Sequence, residues 1–179
     1  MKIGIISDTH DDIENVRKAI EIFNKKDVQY VIHAGDYVFP GIVLEFKRLN
    51  AKLIGVLGNN DGEKGLLLKA FLEIGGELKG ELGEIHVDDI KIGIYHGTST
   101  EIKKRLIESG RYSIIVCGHT HKREPPGVEK GTFHKDTSTL VLNPGVGHKK
   151  TESLAEAFVE GGVIILDTES TEYNYIDLP

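Results

Sequence analysis

The sequence has one cysteine, one methionine, no tryptophan and five prolines. A single thiol permits no internal disulfide and no paired-cysteine metal knuckle, and it fits a reducing compartment. That thiol, Cys117, closes the apolar run from Tyr112 and reads as a buried core residue. Long hydrophobic runs are also missing. No window approaches the ~18 apolar residues of a membrane span, and the opening run turns polar directly after Ile6, too short for a secretory signal. A soluble, cytoplasmic protein is predicted. Excess positive charge is absent as well: 22 Lys and Arg face 28 Asp and Glu, for a formal net charge of −6, with no polybasic run. Binding to long nucleic acid or to an anionic membrane surface is thereby disfavoured.

What is present is enough for one compact domain over residues 1–179, since 39% of the 179 residues are hydrophobic. Short runs rich in Ile and Val alternate with segments of helical period, the pattern of an α/β protein. Strands are predicted at Lys2–Ile6, Tyr30–His33 and Lys52–Leu57, and helices at Asp11–Lys26, near Ile42–Leu49 and at Lys64–Leu72. Asp11 and Asp12 are capping candidates for the first helix. Glu84–Val87 and Ile90–Tyr95 flank Asp88-Asp89 as an antiparallel hairpin. Glu101–Ser109 reads as a helix and Ser113–Cys117 as a strand, with Glu124–Gly131 a surface loop. A β-rich tail follows, with strands at Thr132–His134, Thr139–Leu142, Ala155–Val159, Val163–Asp167 and Glu172–Ile176.

Chemistry-bearing residues stand where the apolar runs end, which is where open α/β sheets gather ligands. The first run delivers Asp8-Thr9-His10, the second Gly35-Asp36, and the third Gly58-Asn59-Asn60-Asp61. Two later runs deliver His96-Gly97 and Gly118-His119-Thr120-His121, and a sixth delivers Asn143-Pro144-Gly145. Residues two apart at a strand end point to one side, so Asp8 with His10, and His119 with His121, can face one space. Carboxylate, imidazole and amide oxygen together suit divalent transition metals, and a carboxylate can bridge two ions about 3.5–4 Å apart. Asp8 and Asp36 could instead cap helices, though Asp11 and Asp12 already offer that service for the first. His33, His86, His134 and His148 read as structural or surface histidines, and Asn143-Pro144-Gly145 as a turn that shapes the site.

The order D-x-H, G-D, G-N-x-D, H-G and G-H-x-H, running from Asp8 to His121, resembles the calcineurin-like metallophosphoesterase family. It is most similar to that family's small single-domain bacterial and archaeal phosphodiesterases, and with Asn143-Pro144-Gly145 the resemblance covers residues 2 to 145. The resemblance implies two mixed β-sheets sandwiched between flanking helices. It implies one metal ion held by Asp8, His10 and His121, a second by Asn59, His96 and His119, and Asp36 bridging both. Mn²⁺ is the first choice, with Fe, Ni, Co or Zn also suited to the donors. The activity implied is hydrolysis of small phosphodiesters by a hydroxide bridging the two ions. Small family members often pair as homodimers, so the resemblance allows a homodimer, while the residues themselves leave the oligomeric state open. Two alternatives are a non-catalytic scaffold of the same fold and a nuclease of the same family. The intact ligand set speaks against the first, and the lack of a basic groove against the second.

One departure stands out at the third block, which in the family commonly reads G-N-H-[DE] with the histidine often assigned as general acid. Here the position is Asn60. Asn60 has no proton to give a leaving group but can hydrogen-bond phosphoryl oxygens, so with Asn59 it is a substrate-binding candidate. Asn60 and Asp61 are the catalytic candidates, with Asp61 expected to act as a carboxylate that orients a liganding or substrate-facing side chain.

Overall fold

A computed structural model describes residues 1–133, 138–147 and 161–178. Lys2–Ile6 forms β1, with four of its five residues buried. Helix α1 (Ile13–Lys25) starts at Asp12, whose carboxylate accepts from Asn15 N–H at 3.0 Å, and buries Val16, Ala19, Ile20 and Phe23. β2 (Tyr30–His33), α2 (Gly41–Glu45) and β3 (Lys52–Gly55) follow, then α3 (Lys64–Glu73) and the short β4 (Glu77–Leu78). β5 (Leu82–Val87) and β6 (Ile90–Tyr95) make the predicted hairpin, with Val87 paired to Ile90. The remaining elements are α4 (Thr100–Glu108), β7 (Ile114–Val116), β8 (Arg123–Glu124), β9 (Lys130–Thr132), β10 (Leu140–Pro144), β11 (Gly162–Asp167) and β12 (Glu172–Asp177).

The strands form two mixed sheets, ordered β4-β3-β2-β1-β11-β12-β9 and β5-β6-β7-β10-β8. β1 to β4 run parallel in the first, and β6, β7 and β10 run parallel in the second. Alternation along β1 sends Ile3 and Ile5 into a core shared with Ile92, Ile94 and Ile114 of the facing sheet. Ile6 joins a second core against the helices, with Val16, Phe23, Ile42 and Phe71. Both faces of β1, β2 and β3 are thus covered, which is why these strands read as mostly apolar runs.

Several expected boundaries move. The segment expected near Ile42–Leu49 splits into α2 and a 3₁₀ turn at Phe46–Arg48, and no side chain caps its first turn. β3 stops two residues early because Leu57 N–H leaves the ladder to bond Gly80 O at 2.7 Å. The expected loop at Glu124–Gly131 contributes residues to β8 and β9. The tail strand expected at Thr132–His134 lies earlier, because Thr132, Gly131 and Lys130 pair with Glu172, Tyr173 and Asn174. His134, His148 and the expected strand Ala155–Val159 lie outside the described residues. Among the described residues no helix is long and apolar enough to cross a membrane.

Candidate metal centre

The expected donors come from the carboxyl ends of strands in both sheets: Asp8 and His10 follow β1, Asp36 follows β2 and Asn59 follows β3, while His96 follows β6, and His119 and His121 follow β7. The main chain turns sharply at most of them. φ is +53° at Asp8, +40° at His10, +60° at Asp36, +69° at His119 and +56° at His121. A non-glycine residue held there costs of order 1–3 kcal/mol and persists only where its surroundings over-determine it. Glycine meets the opposite need, allowing the carboxylates to lie against main chain. A Cβ on Gly118 would stand 2.0 Å from Ser7 Oγ and 2.3 Å from Asp8 Oδ2, and one on Gly58 would stand 2.1 Å from Asp36 Oδ1.

Asp8 is fully buried, and its Oδ2 accepts from Ser7 Oγ–H at 2.6 Å and from His119 N–H at 3.0 Å. Its Oδ1 lies 3.3 Å from His121 Nε2 and 3.8 Å from His10 Nε2. Asp36 Oδ2 lies 3.4 Å from His96 Nε2 and 3.7 Å from His10 Nε2. One ligand atom each from Asp8, His10 and His121 falls within 4.8 Å of the others, and the same holds for Asp8, Asp36 and His96. The His119 ring packs edge-on to that of His96, with centroids 5.3 Å apart.

The donor chemistry fits a cation. His96 Nδ1 lies 2.8 Å from Ala34 O, which can only accept, so Nδ1 carries a hydrogen. Nε2 then faces Asn59 Oδ1 at 3.1 Å and Asp36 Oδ2, an arrangement of acceptors that a proton or a metal ion between them makes favourable.

Electrostatics within the cluster follow from burial and pairing. Burial alone would raise the Asp8 carboxyl, but the neighbouring imidazoles of His10, His121 and His96, with the Ser7 hydroxyl, hold it far below the carboxylate range. Asp36 is lowered in the same sense: burial opposes ionisation, and His96 and the Asn60 N–H overcome it. His10 rises above 6.5, chiefly through the Asp8 carboxylate beside it, and His96 rises because Asp36 and Asp8 outweigh its burial. In the cation-free protein these two histidines bind protons more tightly folded than unfolded. Their contribution to stability is complete below 6.5 and is lost as pH climbs through the raised values. The lowered carboxylates are ionised throughout that window. A divalent cation competes with protons for the same nitrogens, so its hold strengthens with pH. Thermal melts from pH 6.5 upward should therefore show stability falling in chelator and rising in Mn²⁺; parallel curves would contradict metal binding at these histidines.

Asn60 and Asp61 serve the cluster from outside it. Asn60 grips Asp36 twice, its N–H donating to Oδ1 at 2.9 Å and its Nδ2–H to Oδ2 at 2.7 Å. The expectation that Asp61 orients a liganding side chain takes a particular form. The buried Asp61 carboxylate accepts four main-chain N–H bonds, from Gly58 at 2.7 Å, Asp36 at 2.9 Å, Tyr37 at 2.7 Å and Val38 at 3.0 Å. These partners are all main-chain groups, so Asp61 acts on the donors through the loop that carries Asp36, as a positioning residue. Asn143 works similarly. Its Nδ2 donates to Gly118 O at 2.9 Å and its Oδ1 accepts from Gly145 N–H at 2.9 Å, bracing the turn that carries His119. His33 is the buried structural histidine expected. Gly35 N–H donates to Nδ1 at 3.2 Å, so Nε2 carries the hydrogen toward Thr9 Oγ1 at 3.1 Å, and burial pushes its pKa down to about 3. Cys117 is buried as predicted, its thiol pushed up to about 12 by desolvation. Sequence reasoning missed Ser7 as a partner of Asp8 and took Asp11 for a cap; the signal for Ser7 was its place between strand and ligand.

A cavity of about 340 Å³ opens beside Asn59, lined also by Asp61, Lys64, Tyr95 and Thr98. A larger one of about 460 Å³, lined by Glu124, Pro125, Phe133 and Leu140 among others, includes none of the donors.

Comparison with known proteins agrees with this arrangement. A phosphodiesterase of Methanocaldococcus jannaschii is 40% identical over 179 residues, 99% of each chain. The solved structure of an archaeal phosphodiesterase superposes with a TM-score of 0.83 at 39% identity, covering 99% of this chain and 100% of that one. Vps29 of Entamoeba histolytica, solved with Zn²⁺, shares the fold at 19% identity and a TM-score of 0.66 over the whole of both chains. The calcineurin-like phosphoesterase superfamily domain matches residues 1–171, the span that includes every donor described above. The chain therefore belongs to the calcineurin-like phosphoesterase superfamily, as a metal-dependent phosphoester hydrolase.

Proposed function

We propose that this protein is a cytoplasmic, single-domain dinuclear phosphodiesterase acting on small phosphodiesters. In this reading Asp8, His10 and His121 hold one divalent cation, Asn59, His96 and His119 hold a second, and Asp36 stands between them. Mn²⁺ is the preferred ion because the donors mix oxygen with nitrogen. The observation that carries the reading is the pair of donor groups, Asp8-His10-His121 and Asp8-Asp36-His96, each gathered within 4.8 Å. When bound, the two ions supply positive charge to the phosphoryl oxygens and a water of lowered pKa.

The chain's own residues supply position. Ser7 and the His119 N–H fix Asp8, Ala34 O fixes the His96 ring, and Asp61 fixes the loop that carries Asp36. Of the two Asn60 amide hydrogens one is engaged with Asp36, which leaves the other for a phosphoryl oxygen. Metal analysis of purified protein, followed by hydrolysis of a panel of phosphodiesters and phosphomonoesters, tests the reading. Two equivalents of divalent ion, faster turnover of diesters and loss of activity after chelation are expected; activity surviving exhaustive chelation would refute it.

Asn60 also sets a leaving-group dependence. With no acidic proton there, esters of acidic phenols should be hydrolysed far faster than alkyl esters. Asn60→His should raise turnover of alkyl-leaving esters selectively, by up to the ~10²-fold of a modest general acid. Plots of rate against leaving-group pKa should be shallower for the variant, and equal slopes would show that position 60 does not govern protonation.

A further inference from the structure

The cavity of about 340 Å³ beside Asn59 shares a wall with the donor cluster. Asn59 Oδ1 faces His96 Nε2 at 3.1 Å, and Thr98, which lines the cavity, brings its Oγ1 to 3.5 Å from the same oxygen. A phosphoester held at the cluster therefore has this space beside it.

The rest of the lining is built for negative charge. Lys64 opens α3 at its first position, where the helix dipole disfavours a cation and an acidic residue is the usual choice. Neither an acidic side chain in the first turn nor a capping hydrogen bond from Glu63 offsets that end of the helix. Departures from local preference of this kind gather at functional sites. Tyr95 lines the same space and is only 8% exposed. Its oxygen accepts from Ser99 N–H at 2.9 Å, which leaves its hydroxyl hydrogen to be donated. The carboxylates in the lining are both engaged: Asp61 accepts four main-chain N–H groups, and Glu81 Oε1 meets Lys64 Nζ at 3.0 Å. The side chains of Lys64 and Glu81 are 57% and 75% exposed, so their pairing contributes little to folding and exchanges readily with another anion.

We propose that this cavity is a subsite for a second anionic group, a carboxylate or phosphate carried on one ester arm of the phosphodiester, with Lys64 as the specificity-determining residue. Lys64 releases Glu81 and takes the ligand's anion in its place, while Tyr95 and Thr98 donate their hydroxyl hydrogens to it. The favoured substrates are then phosphodiesters with a further negative charge, ahead of neutral dialkyl or diaryl esters.

This rests on the cluster being a phosphoester site, and its test needs no turnover. Calorimetric titration of the Mn²⁺-loaded protein compares phosphonates, which have no scissile ester, with arms of two to four methylenes ending in methyl, carboxylate or a second phosphonate. The wild-type protein should favour the best anionic arm over its methyl counterpart by about fivefold, the upper range for an exposed ion pair, and the better anion identifies the group. Lys64→Gln should bring that ratio close to one. Glu81→Gln, which frees Lys64 from its internal partner, should raise it. An anionic arm that merely chelates the metal ions would keep its advantage in Lys64→Gln, and that result overturns the proposal. A wild-type ratio near one, with the methyl-ended compounds bound, refutes the subsite and leaves the phosphodiesterase reading standing. Failure of every phosphonate to bind refutes both. A Lys64-dependent preference in a protein that hydrolyses no ester keeps the subsite and refutes that reading alone.

Discussion

Replacing Asp36 with asparagine should lower the bound divalent cation and cut phosphodiester hydrolysis by at least ~100-fold, the upper range for disturbed metal sites. The carboxylate is nearly fully buried, faces His96 Nε2 at 3.4 Å, and accepts from both the N–H and the side chain of Asn60. An amide in its place loses the negative charge and turns an NH₂ group toward one of these partners. Asn60, a donor at both contacts, would then meet a donor. Elemental analysis and circular dichroism separate loss of metal from loss of fold. A folded Asp36→Asn protein with near-normal turnover would end the dinuclear reading.

Asp61→Asn should be the costliest change outside the donor set, destabilising the protein by about 3 kcal/mol or more as measured by urea unfolding. Each Asp61 oxygen accepts two main-chain N–H groups, Oδ2 from Asp36 and Gly58 and Oδ1 from Tyr37 and Val38. Whichever oxygen becomes NH₂, two buried donors lose their acceptor, at about 1–3 kcal/mol each. The variant should also take up cation more weakly, because the loop from Asp36 to Val38 is no longer held. An unfolding midpoint equal to wild type would show that other contacts define that loop.

These two aspartates mark how far the site could be read in advance. Asp36 is legible because a carboxylate directly after an apolar run and a glycine has few other reasons to be there. The role of Asp61 depends on four main-chain donors from two separate strand ends, and no spacing rule encodes their convergence. The role of Asp11 was invisible for a related reason, since its carboxylate leaves the helix cap to Asp12 and accepts instead from Phe39 N–H in the loop after Asp36. The fold shows the same division. β1, β2 and β6 are mostly apolar and mostly buried, and the sequence marks their bounds. β4 and β8 have two residues each, too few to show a period, and β9 is a strand only because β12 offers it a partner.

The division of the donors between two sheets has a mechanical consequence. Apart from close packing, little in the apolar core resists a small sliding of one sheet across the other, because dispersion contacts have no preferred direction. A cation held, as proposed, between Asp8 on one side and His121 on the other would act as a rivet at one end of that interface, beside the bond from His119 N–H to Asp8. Tightness of the whole fold then becomes a function of the free cation level, worth about 2.7 kcal/mol at a hundredfold excess over Kd. A cell that starves this protein of metal would slacken its architecture as well as silence its chemistry.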